Sequence, residues 1–184
     1  MIFLNTFIKL LLKTILFLMV FVFVKNNKKD YSNTLKVFYG GGFPGNVGGP
    51  RVKISRLIKY FKNHNFNFNI LYLLSNAQYL SYYSLKMITK NNIPIVLNQN
   101  GVFYSGWYKK NWNKMNKNMA LPYHKADYVF WQSNFCRKSA DKFLGKRTGK
   151  GEVLYNAVDT SIFYPQKNKK NKSTLKLLVT GKMD

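Results

Sequence analysis

The residue types best placed to do chemistry in this chain are glycines and cations, not acids or histidines. The run Gly40-Gly41-Gly42-Phe43-Pro44-Gly45-Asn46-Val47-Gly48-Gly49-Pro50 joins an apolar stretch to an amphipathic one. Glycines at such a junction allow positive φ and let the backbone come close to a ligand. Pro50 suits the first position of a helix, whose free N–H groups favour an anion such as a diphosphate. No Gly-Lys-Ser/Thr closes the run, so it is not a Walker loop. Its spacing also departs from G-x-G-x-x-G, so nicotinamide dinucleotide binding is not indicated. A tight glycine turn without a ligand is the competing reading. No His/Asp/Glu cluster suggests a metal. His64 falls in a turn between a helix and a strand, and His124 just before an apolar strand, so both read as structural. Cys136 is the single cysteine, excludes an internal disulfide, and reads as a core residue.

The elements that must position these residues emerge from periodicity. Apolar runs at 35–39, 70–74, 94–98, 128–131 and 152–155 read as short buried strands, and 77–89 and 134–144 as helices. After Pro50, Ile54, Leu57, Ile58 and Phe61 recur at i, i+3, i+4 and i+7. Arg51, Lys53, Arg56, Lys59 and Lys62 fall mostly on the remaining surface. The segment 101–122, rich in Trp, Tyr, Lys and Asn, is ambiguous. Strands alternating with helices predict an α/β fold with a doubly wound parallel, Rossmann-like sheet. Ligands of such sheets gather at the carboxyl ends of the strands, which singles out 40–49, Ser75, 98–104, 132–133 and 156–159. Ser133 fits a helix N-cap.

With 184 residues and 46% hydrophobic content, the chain can bury one core of ordinary domain size. Thirty Lys+Arg against 6 acids give a formal charge of +24, which favours anionic partners. The cations are dispersed and not confined to one stripe, which argues against a nucleic-acid-binding protein; residues 156–165 would have no role in one either. Residues 2–24 are mostly apolar, interrupted by Asn5, Thr6, Lys9, Lys13 and Thr14. The segment can span a bilayer if the lysines snorkel, or lie in the interface of an anionic leaflet. A cleaved signal peptide fits less well, because no small-x-small site comes after the apolar run. Lys25, Lys28 and Lys29 favour a cytoplasmic location for the body of the chain.

Three segments resemble the family 4 (group 1) glycosyltransferases: the glycine loop with its helix, the run Ala126 to Ser133, and Asn156-Ala157-Val158-Asp159-Thr160-Ser161-Ile162-Phe163-Tyr164-Pro165. The last is similar to the family's Asn-Gly-Val-Asp-x-x-x-Phe-x-Pro, with Ala157 in place of Gly. The resemblance implies a two-domain GT-B architecture, of which this chain would be the N-terminal half preceded by a hydrophobic helix. The implied divisions are a membrane-associated helix at 1–24, a basic linker at 25–34, an acceptor-side domain at 35–165, a charged linker at 166–174 and the start of a donor-binding domain at 175–184. The chain is then expected to be a fragment of a longer enzyme.

The resemblance further implies transfer of a sugar from a nucleotide-diphosphate sugar to an acceptor hydroxyl, with retention, in glycan or glycolipid synthesis. It implies no metal and no cofactor besides the donor substrate. Gly41, Gly42, Gly48 and Gly49 would line the cleft, as would Ser133 and Asn156. Asn100 or Gln99 would stand where the family often has a His, as hydrogen-bond donors that cannot act as bases. Lys182 would neutralise donor phosphate charge. Trp107, Tyr108 and Trp112, interleaved with lysines, hint at a lipid-linked or glycan acceptor at an anionic membrane surface, on the cytoplasmic face. The alternative is a non-catalytic, membrane-anchored acceptor-binding subunit that recruits a separate donor-domain partner.

Overall fold

The computed structural model describes residues 2–26, 34–75 and 79–165. The linkers at 25–34 and 166–174 therefore lie largely or wholly outside the described residues, as do 175–184 with Lys182. The described chain runs α1 (Ile2–Asn26), β1 (Val37–Phe38), α2 (Gly49–Leu57), β2 (Ile70–Leu74), α3 (Tyr82–Lys90), β3 (Ile95–Gln99), α4 (Trp112–Lys125), β4 (Tyr128–Trp131), α5 (Asn134–Phe143) and β5 (Lys150–Val153). It is an α/β fold, Rossmann-like, with one five-stranded sheet in the order β1-β2-β3-β4-β5. Every pairing is parallel.

Side chains of a strand alternate between faces, and here each face has its own core. Val37, Tyr39 and Leu74 join Ile54, so α2 covers one face. Phe38, Leu71, Leu73, Ile95, Leu97, Val129 and Trp131 join residues of α1, α3, α4 and α5 on the other. A direct β1-α2-β2 crossover over the α2 face would have the opposite hand to the later crossovers. Hydrogen bonds at β1 show how the chain avoids this. The Val37 carbonyl accepts from His64 N–H at 2.8 Å, while the Lys36 carbonyl accepts from Ile70 N–H at 3.2 Å. Successive carbonyls of a strand point to opposite edges, so the residue 63–64 bridge lies on the far side of β1 from β2. The chain winds outward over α2 and touches the outer edge of β1. It then returns to build β2 to β5 in sequence, with right-handed crossovers on the opposite face. The reversal of winding falls between β1 and β2.

Helix starts are set by local caps. Ser81 accepts from Ser84 N–H at 3.1 Å and opens α3, later than the expected start at Ala77, which lies outside the described residues. Asn111 accepts from Lys114 N–H at 3.1 Å and opens α4 inside the ambiguous segment. Buried Asn116 of α4 then holds both backbone groups of Phe103, at 2.9 and 2.7 Å. The last strand forms at Lys150–Val153, not at 152–155, because Gly151 pairs with Val129.

The N-terminal hydrophobic segment is part of this core. Val20 and Phe23 of α1 are buried, and Leu16, Met19 and Val24 pack around them. The Phe23 ring stacks on Phe68 at 4.2 Å, and Phe68 lies 4.8 Å from Phe38 of β1. The expectation of a spanning segment is not met: among the described residues no helix is long and apolar enough to cross a membrane. The last turns of α1 are committed to the protein. Replacing Phe23 by Ala should therefore destabilise the domain by about 3–5 kcal/mol, the usual cost of emptying a buried Phe site. A urea midpoint indistinguishable from wild type would show that α1 is not held by the core.

Candidate functional site

The carboxyl ends of the strands carry one polar cluster. Among the described residues α2 is the one helix on its face, and its second turn reaches the end of β3. There the Lys53 ammonium donates to Asn98 Oδ1 at 2.9 Å and to Asn156 Oδ1 at 3.0 Å. Asn98, on β3, is 2% exposed. Its Oδ1 also lies 3.4 Å from Gln132 Nε2, at the end of β4. Gln132 Nε2 donates to Asn100 Oδ1 at 2.6 Å, and Asn100 N–H donates to Ser75 Oγ, just past β2, at 3.1 Å. The network thus crosses the ends of β2, β3 and β4 and reaches the segment after β5.

Its charge is one-sided. Lys53 is half-buried, and its two partners are neutral amide oxygens. Burial, and then the nearby Arg56, lower its pKa below the usual lysine value of 10.5. Arg56 also contributes to holding the Asp159 carboxyl low, although hydrogen bonds from Ser161 do most of that. Asp159 accepts from both the hydroxyl and the N–H of Ser161, and its carbonyl takes the Ile162 and Phe163 amides. Asp159 therefore builds the turn of the 156–165 motif and does not face the cluster as a ligand.

The glycine loop folds back on α2. Gly45 N–H donates to Ser55 Oγ at 2.8 Å, and the Ser55 hydroxyl donates to Gly45 O at 3.1 Å. The Arg51 guanidinium lies 4.7 Å over the Phe43 ring. Of the four glycines expected to line a cleft, two meet neighbouring side chains, and one of these, Gly41, has φ +82°. A Cβ on Gly41 would come within 2.5 Å of Leu16 of α1, and one on Gly42 within 2.6 Å of Ile54. Gly48 and Gly49 border open space, and only Gly48, at φ +86° at the start of α2, needs to be glycine.

The other expected site residues divide similarly. Asn100 and Asn156 are brought together through Lys53, Asn98 and Gln132. Ser133 is the N-cap of α5, accepting from Cys136 N–H at 3.1 Å, beside the cluster but committed to the helix. Cys136 Sγ donates to the Asn100 carbonyl and fixes that residue's backbone. Gln99 is not in the cluster: it is fully buried on the other face, with Nε2 donating to Gly101 O at 2.8 Å. His124 contacts the Leu144 carbonyl at 2.7 Å, a structural role. Among the described residues no group of three or more His, Cys, Asp or Glu comes together.

Lys53 is the residue that sequence reasoning missed. It was legible only as one of several cations on α2. Its place one residue before the core Ile54, in the helix that succeeds the glycine loop, was the available signal. Asn98 and Gln132 stood among the strand-end positions without being singled out.

No protein-family model matches the chain, and neither the curated proteins nor the solved structures yield a match.

The cluster offers a cation, Arg56 on the same helix, and amides that can donate or accept. It can hold an anion and orient hydroxyl groups. Because Lys53 loses its proton more readily than an exposed lysine, graded-pH acetylation with peptide mass spectrometry should show its labelling midpoint below 10.5 and below those of the exposed lysines. A midpoint at or above theirs would mean the ammonium is as well solvated as an ordinary surface group.

Proposed function

We propose that this chain is the acceptor-side part of a GT-B glycosyltransferase resembling family 4. In this reading the two-domain enzyme transfers a sugar from a nucleotide-diphosphate sugar to an acceptor hydroxyl with retention, at the cytoplasmic face of a membrane, and this part alone is inactive. The observation that carries the reading is Lys53, a half-buried cation held by neutral amides at the strand ends beside the glycine loop. A leaving diphosphate needs positive charge that is not already neutralised. Lys53 supplies it as a point charge, and Arg56 supports it from the next turn. The free N–H groups at Gly48 and Gly49, where α2 begins, add the positive end of the helix dipole. Asn100 and Gln132 offer amides suited to orienting an acceptor hydroxyl. Lys182, outside the described residues, is a further candidate for the donor phosphates.

One observation favours the second reading, a non-catalytic acceptor-binding subunit served by a donor-domain partner. Among the described residues the cluster holds amides and a cation but no imidazole or carboxylate aimed at a reacting hydroxyl.

Two measurements test the reading: transfer of labelled sugar from a panel of nucleotide sugars to a membrane lipid extract, by the chain joined to a GT-B donor domain, and titration of the chain with inorganic pyrophosphate. Lys53→Met should weaken pyrophosphate binding about 10- to 100-fold, the range of one hydrogen bond to a charged group, and lower transfer in parallel. Pyrophosphate binding that depends on Lys53, without transfer, selects the subunit reading. Neither transfer nor a Lys53 effect on binding would sink both.

A further inference from the structure

On the face opposite α2, a cleft of about 830 Å³ lies between α1, α3 and α4. That volume is within the range of sites that enclose a small ligand, about 300–1,000 Å³. Its walls include Leu12, Leu85, Phe103 and Met119, and among the described residues its charged lining consists of Lys13 and Lys117, both exposed lysines. An apolar interior with a cationic border matches a molecule that is hydrocarbon at one end and anionic at the other.

The cleft continues onto the outer surface of α1. Leu10 is 64% exposed, Leu18 54% and Ile15 51%, with Phe7, Leu11, Phe21 and Val22 exposed among them. An apolar surface of this extent marks an interaction site. The net charge of +24 draws that surface toward an anionic leaflet. The same charge argues against a second copy of the chain, which would bring like charge to a lysine-bordered opening. An apolar helix from a protein partner would leave both lysines without a countercharge.

We infer that the cleft between α1, α3 and α4 holds the hydrocarbon chain of a membrane lipid bearing a phosphate headgroup, with Lys13 and Lys117 facing the phosphate. Ser75 also lines the cleft, and its Oγ accepts from Asn100 N–H. The lipid site is therefore contiguous, through Asn100, Gln132 and Asn98, with Lys53. On the glycosyltransferase reading the bound lipid is the acceptor. That assignment rests on the reading, whereas the lipid site itself does not.

Trp107 provides the reporter, because its ring stacks on Phe103 at 5.0 Å. The probe is lysophosphatidic acid with a brominated chain, kept below its micelle concentration and titrated into the full chain while Trp fluorescence is followed. Saturable quenching at one site is expected, lost in Trp107→Phe. The paired charge reversal Lys13→Glu with Lys117→Glu, at two exposed positions, should weaken binding at least tenfold while the circular dichroism stays that of wild type. Glycerol 3-phosphate should not compete, which separates a lipid from free phosphate. No quenching, equal quenching by lysophosphatidylcholine carrying the same brominated chain, or full competition by glycerol 3-phosphate would overturn the inference. A dimer by sedimentation that lipid does not dissociate would also overturn it, since a second copy would then occupy the cleft. None of these measurements involves the nucleotide sugar, so failure here leaves the Lys53 test standing on its own.

Discussion

Two residues of β1 and its approach carry hydrogen bonds to opposite neighbours, and the layout of the domain depends on that. Lys36 offers its carbonyl to β2 and Val37 offers its carbonyl to the residue 63–64 bridge. With both edges occupied, the chain can be wound outward on one face and inward on the other. Among the described residues α2 is the one helix on its side of the sheet, and four share the opposite side. Reversal of winding is what opens a crevice at the strand ends of α/β sheets. In this chain it is the residues after the strands, more than the strands themselves, that carry the polar chemistry.

The placement of α2 explains the electrostatics of the crevice. Lys53, in its second turn, reaches over the end of the sheet. Lys53 meets amides there. A carboxylate partner would have cancelled the charge and lowered the cost of burial. Amides satisfy the ammonium's hydrogen bonds and leave its field intact, so the lowered pKa and the attraction for an anion have one cause.

Much of the fold was legible because its signals are local. The runs 70–74 and 128–131 became β2 and β4 without change, since short apolar runs flanked by polar residues leave little choice of length. α4 was hidden because its start depends on Asn111 and its buried face includes Asn116, polar residues that read as loop until the backbone groups they serve are known. The site was half legible for a similar reason. Asn100 and Asn156 come just after strands and could be picked out by position. Lys53 could not, because its partners lie 45 and 103 residues away in the chain. For Gly41 and Gly42 the sequence is silent between two uses: a glycine that makes room for a neighbouring side chain looks like one that makes room for a ligand.

The position of α1 has a consequence for the order in which the molecule is made. Phe23 needs Phe68 and α1 needs α3, yet α1 leaves the ribosome before either exists. During that interval its inner face, Val20 and Phe23, is as uncovered as its outer one, and transiently exposed apolar surface is what nascent chains most readily misplace. The helix therefore meets its surroundings, whether water, chaperone or bilayer, before it meets its own domain. Only when the segment carrying Phe68 has emerged do the two faces become different.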